Sequence, residues 1–285
     1  MNTILKTYAM LTKPGIIFGN AVTAIAGFCL ASKGVISFGL FFAALLGLSL
    51  VIASACVWNN YMDRAMDEKM ARTRSRALVQ GLIPLQNALC FGLVLGFLGI
   101  GILALFTNLL TVVMAACGFF VYVVLYGLSK YTTSLGTIIG SVAGAIPPVV
   151  GYTAVSNCID LGAVLLFFIV VFWQMPHFYA IAMYRLEDYA AASIPVLPIS
   201  KGSYTAKVHT LMYVVAFGVS CVLLTLCGYV GYSCLTVSTL LSASWLWLSI
   251  KGFSCDNDRL WARKMFLLSL FIIMALAITI SMDCR

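Results

Sequence analysis

Apolar residues in this chain do not alternate with polar ones at the short periods of a soluble helix or strand. They run on without a charge for 17 to 24 residues at a time. Nine such stretches, at 14–30, 38–58, 85–106, 109–128, 135–155, 161–184, 211–230, 233–250 and 265–282, contain no Asp, Glu, Lys or Arg. A helix rises about 1.5 Å per residue, so roughly 20 residues cross the hydrocarbon of a bilayer. Each stretch therefore predicts a membrane-crossing helix, and the short alternating segments of a membrane barrel are missing from the pattern. The expected fold is all-α: a polytopic membrane protein of about nine transmembrane helices, with one domain over residues 1–285. Lys6 and Lys13 precede the first stretch as they would in a signal peptide. The stretch lacks a clear small-x-small cleavage site before the next span, and eight further spans follow, so it is expected to be retained.

Composition sharpens this reading. Of 285 residues, 62% are hydrophobic and 9% are charged, with a mean hydropathy of +1.05. A soluble domain would carry about 25% charged residues. The formal net charge of +8 has an origin in topology. With nine crossings, 15 of the 17 basic residues fall on one side, leaving only Lys33 and Arg285 on the other. The positive-inside rule then predicts a multi-pass protein of the cytoplasmic (inner) membrane, with its N-terminus and basic loops in the cytoplasm and its C-terminus outside. Membrane lipids are its expected surroundings, and nucleic acid is not an expected partner.

Ten cysteines show no C-x-x-C pair and lie mostly within or beside the stretches, where they are expected to pack as small hydrophobes. Gly136, Gly140 and Gly144 recur every four residues, and Gly92 with Gly96 repeats the spacing, which suits close helix packing. Pro147 and Pro148 are expected to kink the fifth span and Pro176 the sixth. A broken helix at membrane depth needs protein or water to satisfy its freed backbone groups, so both spans are expected to face an internal cavity.

Candidate chemistry collects in two places. If the second span continues as a helix past the membrane surface, Asn59, Asp63 and Asp67 follow at i, i+4 and i+8 on one face. Two carboxylates and an amide oxygen make a hard-oxygen site suited to Mg²⁺, which is commonly held by one or two carboxylates and the phosphates of a substrate. A helix leaving the bilayer also becomes polar for no further reason. The next residues, Lys69, Arg72, Arg74 and Arg76, supply donors for a diphosphate, although the positive-inside rule places basic residues here as well. The second cluster is at the end of the sixth span, where Gln174, His177, Arg185 and Asp188 share one face if the helix runs on through Pro176. His177 is one of two histidines. An intramembrane ionisable group is a functional candidate, and an interhelical hydrogen bond is the plainer alternative. The two clusters come four spans apart, a spacing that suggests a duplicated four-helix unit.

Four stretches carry a resemblance: NNYMDRAMDEKMARTRSRALVQG, YGLSKYTTSLGTIIGSVAGAIPPVVGY, WQMPHFYAIAMYRLEDYAAASIPVLP and NDRLWARKMF. In these residues the chain resembles the UbiA-type intramembrane prenyltransferases, and WQMPH followed by DYAAASIPVLP resembles the branch of that family that farnesylates haem. The resemblance implies nine helices around a central cavity and an Mg²⁺-dependent reaction of farnesyl diphosphate with haem B. The family's first motif, N-D-x-x-D-x-x-x-D, falls on Asn59, Asn60, Asp63 and Asp67, with Asn60 where the wider family has Asp. Arg185 and Asp188 fall in the second polar region, where Glu187 and Asp188 are adjacent instead of spaced by four. The implied roles are metal ligation by Asn59, Asp63 and Asp67 and stabilisation of the leaving diphosphate by Arg72, Arg76 and Lys130. Tyr126 and Trp173 would stabilise an allylic cation, and Gln174 and His177 would contact substrate. The product would pass to a terminal oxidase or a haem A synthase. A prenyltransferase acting on a quinone precursor, and a transporter or carrier of haem or lipid, are the competing readings.

Overall fold

The structure, a computed structural model, describes residues 3–285. Among the described residues nine helices are long and apolar enough to cross a membrane: α1 (Pro14–Ser32), α2 (Phe38–Asp67), α3 (Leu85–Phe106), α4 (Leu109–Ser129), α5 (Gly136–Ser156), α6 (Leu161–Tyr184), α7 (Leu197–Leu226), α8 (Tyr232–Ser254) and α9 (Asp258–Met282). A short helix, Thr3–Leu11, precedes them. This is a multi-pass membrane protein. Its outer surface exposes large apolar side chains such as Phe97, Leu105, Leu109 and Leu226, as expected of helices solvated by lipid.

Three boundaries differ from the runs of uncharged residues by more than about five residues, each for a local reason. α2 extends to Asp67 without a break, so Asn59, Asp63 and Asp67 do share one continuous helix. α7 begins at Leu197 instead of 211 because Lys207 is accommodated: its Nζ lies 2.5 Å from Asp258 Oδ1 at the start of α9. Gly202, at φ +83°, puts a kink between a short first segment of α7 and the long helix that follows. α9 begins at Asp258 because the Asn257 side chain caps it, Oδ1 accepting from Leu260 N at 2.9 Å.

Proline acts differently in the two spans that contain it. α5 is broken at Ala145, immediately ahead of Pro147 and Pro148, into Gly136–Gly144 and Ile146–Ser156. α6, by contrast, continues through Pro176. One proline removes one donor, and α7 and α9 packed on either side hold the course of the helix. Both spans face an internal cavity, as their prolines suggest.

The helices approach most closely where α1 crosses the second half of α5. A Cβ on Gly27 would run into the Pro148 carbonyl, with the carbonyl carbon at 2.8 Å, and one on Gly151 would run into the Ala24 carbonyl. All ten cysteines are free; Cys29, Cys56, Cys221 and Cys234 are buried as small apolar fillers, whereas Cys90, Cys117, Cys158 and Cys227 are exposed.

Candidate active site

A cavity of about 690 Å³ opens within the bundle between α1, α2, α4, α5, α6 and α9. Its wall is apolar over most of its extent, with Leu48, Val51, Phe119, Ile146 and Ile273 along it, and polar at one end, where Asn20, Arg72, Tyr126 and Lys130 line it. Such a division suits a ligand with a long apolar part and an anionic head.

The polar end is assembled on the last two turns of α2. Asp63 forms an ion pair with Lys130 and accepts from the Tyr131 hydroxyl. Asp67 is almost fully buried and pairs with Arg76, Nη1 to Oδ2, at 2.5 Å. Asn59 Oδ1 accepts from Lys13 Nζ at 2.6 Å. Each predicted oxygen donor therefore faces its own cation. The segment after α2 folds back to make this possible: Thr73 Oγ1 donates to the Asp67 carbonyl at 2.9 Å, and Met70 packs against Ala192 and Ile194 of the connector before α7. Arg72 lies over the Tyr189 ring, 4.9 Å from its centroid, and both residues line the cavity.

Burial shapes the chemistry of these groups. Desolvation pulls the Lys13 ammonium down to about 8. It also lowers Lys130, with the Asp63 carboxylate opposing it. Tyr131 is pushed up by burial and by the neighbouring Asp63 charge, so it stays a hydroxyl donor.

The tyrosines owe their position to a π-helical turn, Val121–Tyr126, within α4. Tyr122 stacks on Tyr126, four residues on, with centroids 5.6 Å apart and rings at 22°. Beneath them runs the glycine series of α5. A Cβ on Gly136 would meet Lys130 Cα at 2.7 Å, one on Gly140 would meet the Tyr126 ring at 3.1 Å, and one on Gly144 would run into the Gln174 amide. The four-residue spacing is packing, as the sequence suggests, but the groups packed are those of the site itself.

Further along the wall are Trp173, Gln174 and His177. Gln174 Nε2 donates to Ser141 O at 3.2 Å, across to the broken span. His177 Nδ1 is 2.7 Å from Ser269 Oγ. The expected single face through Asp188 does not form, because α6 ends at Arg185, where φ −113° and ψ 31° turn the chain. Arg185 packs on Tyr184 at 4.6 Å, and neither it nor Asp188 lines the cavity; Tyr189, Pro195 and Val196 take that place. Asn60 turns away from the carboxylates, Nδ2 donating to Leu11 O at 2.8 Å, while its buried Oδ1 has no partner. Lys13, Tyr122, Tyr131 and Ser269 belong to the site or its support and are not apparent in the sequence. The signal for Lys13 was the Lys-Pro pair that opens a span, which reads first as membrane topology.

The donor set fits a hard divalent cation. Asn59, Asp63 and Asp67 offer oxygens one turn apart, each now balanced by an ammonium, a hydroxyl or a guanidinium. No group of three or more His, Cys, Asp or Glu side chains among the described residues is arranged to hold a metal alone. An ion here would share its coordination with substrate phosphates, as Mg²⁺ commonly does.

Residues 20–271 match the UbiA prenyltransferase family. Proteins named protoheme IX farnesyltransferase are similar over nearly the whole chain: one from Protochlamydia amoebophila is 50% identical over 280 residues, covering 98% of this chain and 99% of that protein. Another, from Photorhabdus laumondii, is 48% identical over 281 residues, covering 98% and 96%. Among solved structures, one of a digeranylgeranylglyceryl phosphate synthase superposes with a TM-score of 0.81 at 18% identity, covering 98% of each chain. A UbiA homologue from Archaeoglobus fulgidus bound to GPP and Mg²⁺ superposes with a TM-score of 0.71 at 14% identity, covering 96% of this chain and 99% of that one.

Proposed function

The chain belongs to the UbiA prenyltransferase family, and from that membership we propose that it transfers the farnesyl group of farnesyl diphosphate to a vinyl group of haem B, releasing diphosphate. The observation that carries this reading is the cavity, apolar along its length, with Arg72 and Lys130 lining one end and the Asp63 carboxylate paired with Lys130 there. The similarity to the farnesyltransferases from Protochlamydia and Photorhabdus supports the choice of haem as acceptor.

The charges follow from the layout. Breaking the bond between the allylic carbon and oxygen sends its electron pair out with the diphosphate, and Lys130, Arg72, Arg76 and Lys13 offset the charge that develops there. Asn59, Asp63 and Asp67 would hold Mg²⁺, which when bound supplies Lewis acidity to the leaving oxygens. Tyr126 and Trp173 present ring faces to the allylic cation. The vinyl π pair then forms the carbon–carbon bond. The cation left beside the macrocycle takes the oxygen of a water and loses a proton, giving a hydroxyethylfarnesyl substituent. Until that step the apolar wall excludes water.

Purified protein given haem B, farnesyl diphosphate and Mg²⁺ is expected to yield haem O, identified by mass. Lipid extracts holding prenylated benzoate in place of haem O would favour a quinone precursor, and transport of haem without any product would favour a carrier. The cytoplasmic face of the inner membrane is the proposed side of the polar end, and release within the bilayer suits hand-over to a haem A synthase or terminal oxidase. A topology reporter fused after Arg76 is expected to read cytoplasmic and one at Arg285 external; both on one side would overturn this orientation.

Lys13 makes diphosphate binding depend on pH. Its value of about 8 means that the ammonium is charged below that pH and neutral above it. Affinity for farnesyl diphosphate is therefore expected to fall as pH rises through about 8. Lys13→Arg, which keeps its charge, should move the loss to higher pH. Identical binding profiles for wild type and Lys13→Arg between pH 7 and pH 9 would remove Lys13 from the diphosphate site.

A further inference from the structure

The bonds around His177 assign one tautomer to its ring, given a Ser269 hydroxyl that is directed to the backbone. Ser269, fully buried on α9, has one hydroxyl hydrogen and donates it to Phe266 O at 2.6 Å. Toward His177 Nδ1, 2.7 Å away, the Ser269 oxygen can then only accept, so Nδ1 bears the hydrogen. In the neutral ring this leaves Nε2 as a bare lone pair, and among the described residues no donor reaches it. The ring plane is held as well. Trp173 stacks on it with centroids 5.0 Å apart at 26°, and Phe266 lies 5.0 Å from it. The Trp173 indole N–H donates to the Ser269 backbone oxygen at 2.8 Å. One buried residue of α9 thereby anchors two aromatic residues that follow each other by one turn on α6.

A lone pair without a donor, in the wall of an apolar cavity, recognises a Lewis acid or a hydrogen-bond donor. On the haem-farnesylating reading, which this inference takes as its basis, the substrate's propionates are acceptors and its vinyl groups are apolar. The iron is the part of haem B that a bare Nε2 can engage. We propose that His177 Nε2 ligates the iron of the substrate haem and that Ser269 is the positioning residue that fixes the tautomer and plane of that ligand. Ligation would set the macrocycle at a fixed height in the cavity, so that a vinyl group meets the allylic carbon. It resembles the way outer-shell partners of metal-bound histidines orient them, where loss of the partner typically costs about 10- to 100-fold in affinity or activity.

Titration of the purified protein with haem B tests this. Wild type is expected to show the Soret band of an imidazole-ligated haem, lost in His177→Ala and recovered when free imidazole is added. Ser269→Ala is expected to weaken haem binding about 10- to 100-fold, with Ser269→Thr, which keeps the hydroxyl, restoring part of it. Because Ser269 acts through the ring, Ser269→Ala should change nothing further in the His177→Ala background. Farnesyl diphosphate binding, retained by each variant, reports that the fold is intact. A wild-type spectrum without nitrogen ligation, in a protein that binds and farnesylates haem B, overturns the ligation on its own and needs no variant. An equal loss from Ser269→Ala with and without His177 overturns the positioning role. A wild type that neither binds haem B nor makes haem O overturns the functional reading beneath both.

Discussion

Asp63→Asn and Asp67→Asn are expected to lower haem O formation by about 10² to 10³, the usual cost of removing one strong electrostatic contact with a transition state. The substitutions keep size and much of the hydrogen bonding while removing one charge each. At Asp63 the Tyr131 hydroxyl can still donate to the amide oxygen, but Lys130 loses its counter-ion. At Asp67 the loss goes deeper, because the carboxylate is 2% exposed and pairs with Arg76. The Arg76 left behind is 34% exposed and keeps part of its hydration, so Asp67→Asn should lower thermal stability by less than the ~3–5 kcal/mol typical of a fully buried pair. Both variants should need more Mg²⁺ than wild type, and haem B binding should survive, since the carboxylates face the other substrate. Haem O formation measured against Mg²⁺ concentration decides the point. Wild-type turnover at every Mg²⁺ level in both variants would sink the metal assignment.

Gly27→Ala and Gly151→Ala are expected to destabilise the fold more than any other glycine-to-alanine change outside the active site. In each case the added carbon meets the backbone of the facing helix, Pro148 for Gly27 and Ala24 for Gly151. Backbone cannot rotate aside as a side chain can, so α1 and α5 must separate along their whole crossing. Overpacking costs typically 1–3 kcal/mol, and the backbone contacts put these two at or above the upper end, about 3 kcal/mol. Gly101→Ala on α3 is the control, since its Cβ would meet nothing within 4 Å. Melting of the three variants in one detergent checks this; equal midpoints would show that the α1–α5 crossing is looser than its glycines imply.

The nine spans were legible because a bilayer imposes one simple demand, an uncharged run about as long as the hydrocarbon is thick. Where the demand relaxes, the reading lost precision. The start of α7 was placed late because a buried Lys207 is admissible only with Asp258 beside it, and a pairing between residues so distant in sequence leaves no local mark. The carboxylate face of α2 could be read because helical period alone aligns Asn59, Asp63 and Asp67. The same period misled at Arg185 and Asp188, where one residue leaves helical geometry and the face is lost. Lys13 and Tyr131 reach the site from elements remote in sequence. Tyr122 depends on a π-helical turn that follows from no simple periodicity.

The pairing of Asn59, Asp63 and Asp67 with one cation each has a consequence for the order of events. A divalent ion bound at Asn59, Asp63 and Asp67 would compete with Lys13, Lys130 and Arg76 for the oxygens of α2. Released from α2 with no anion nearby, they would repel any divalent ion taking their place; given a diphosphate, they have somewhere to go. On the proposed function, the two ligands thus draw on one shared set of three positive side chains, and each raises the other's affinity by the same factor. The resting protein is in this sense already saturated with its own counter-ions, a state that guards two closely spaced carboxylates against binding stray cations when no substrate is present.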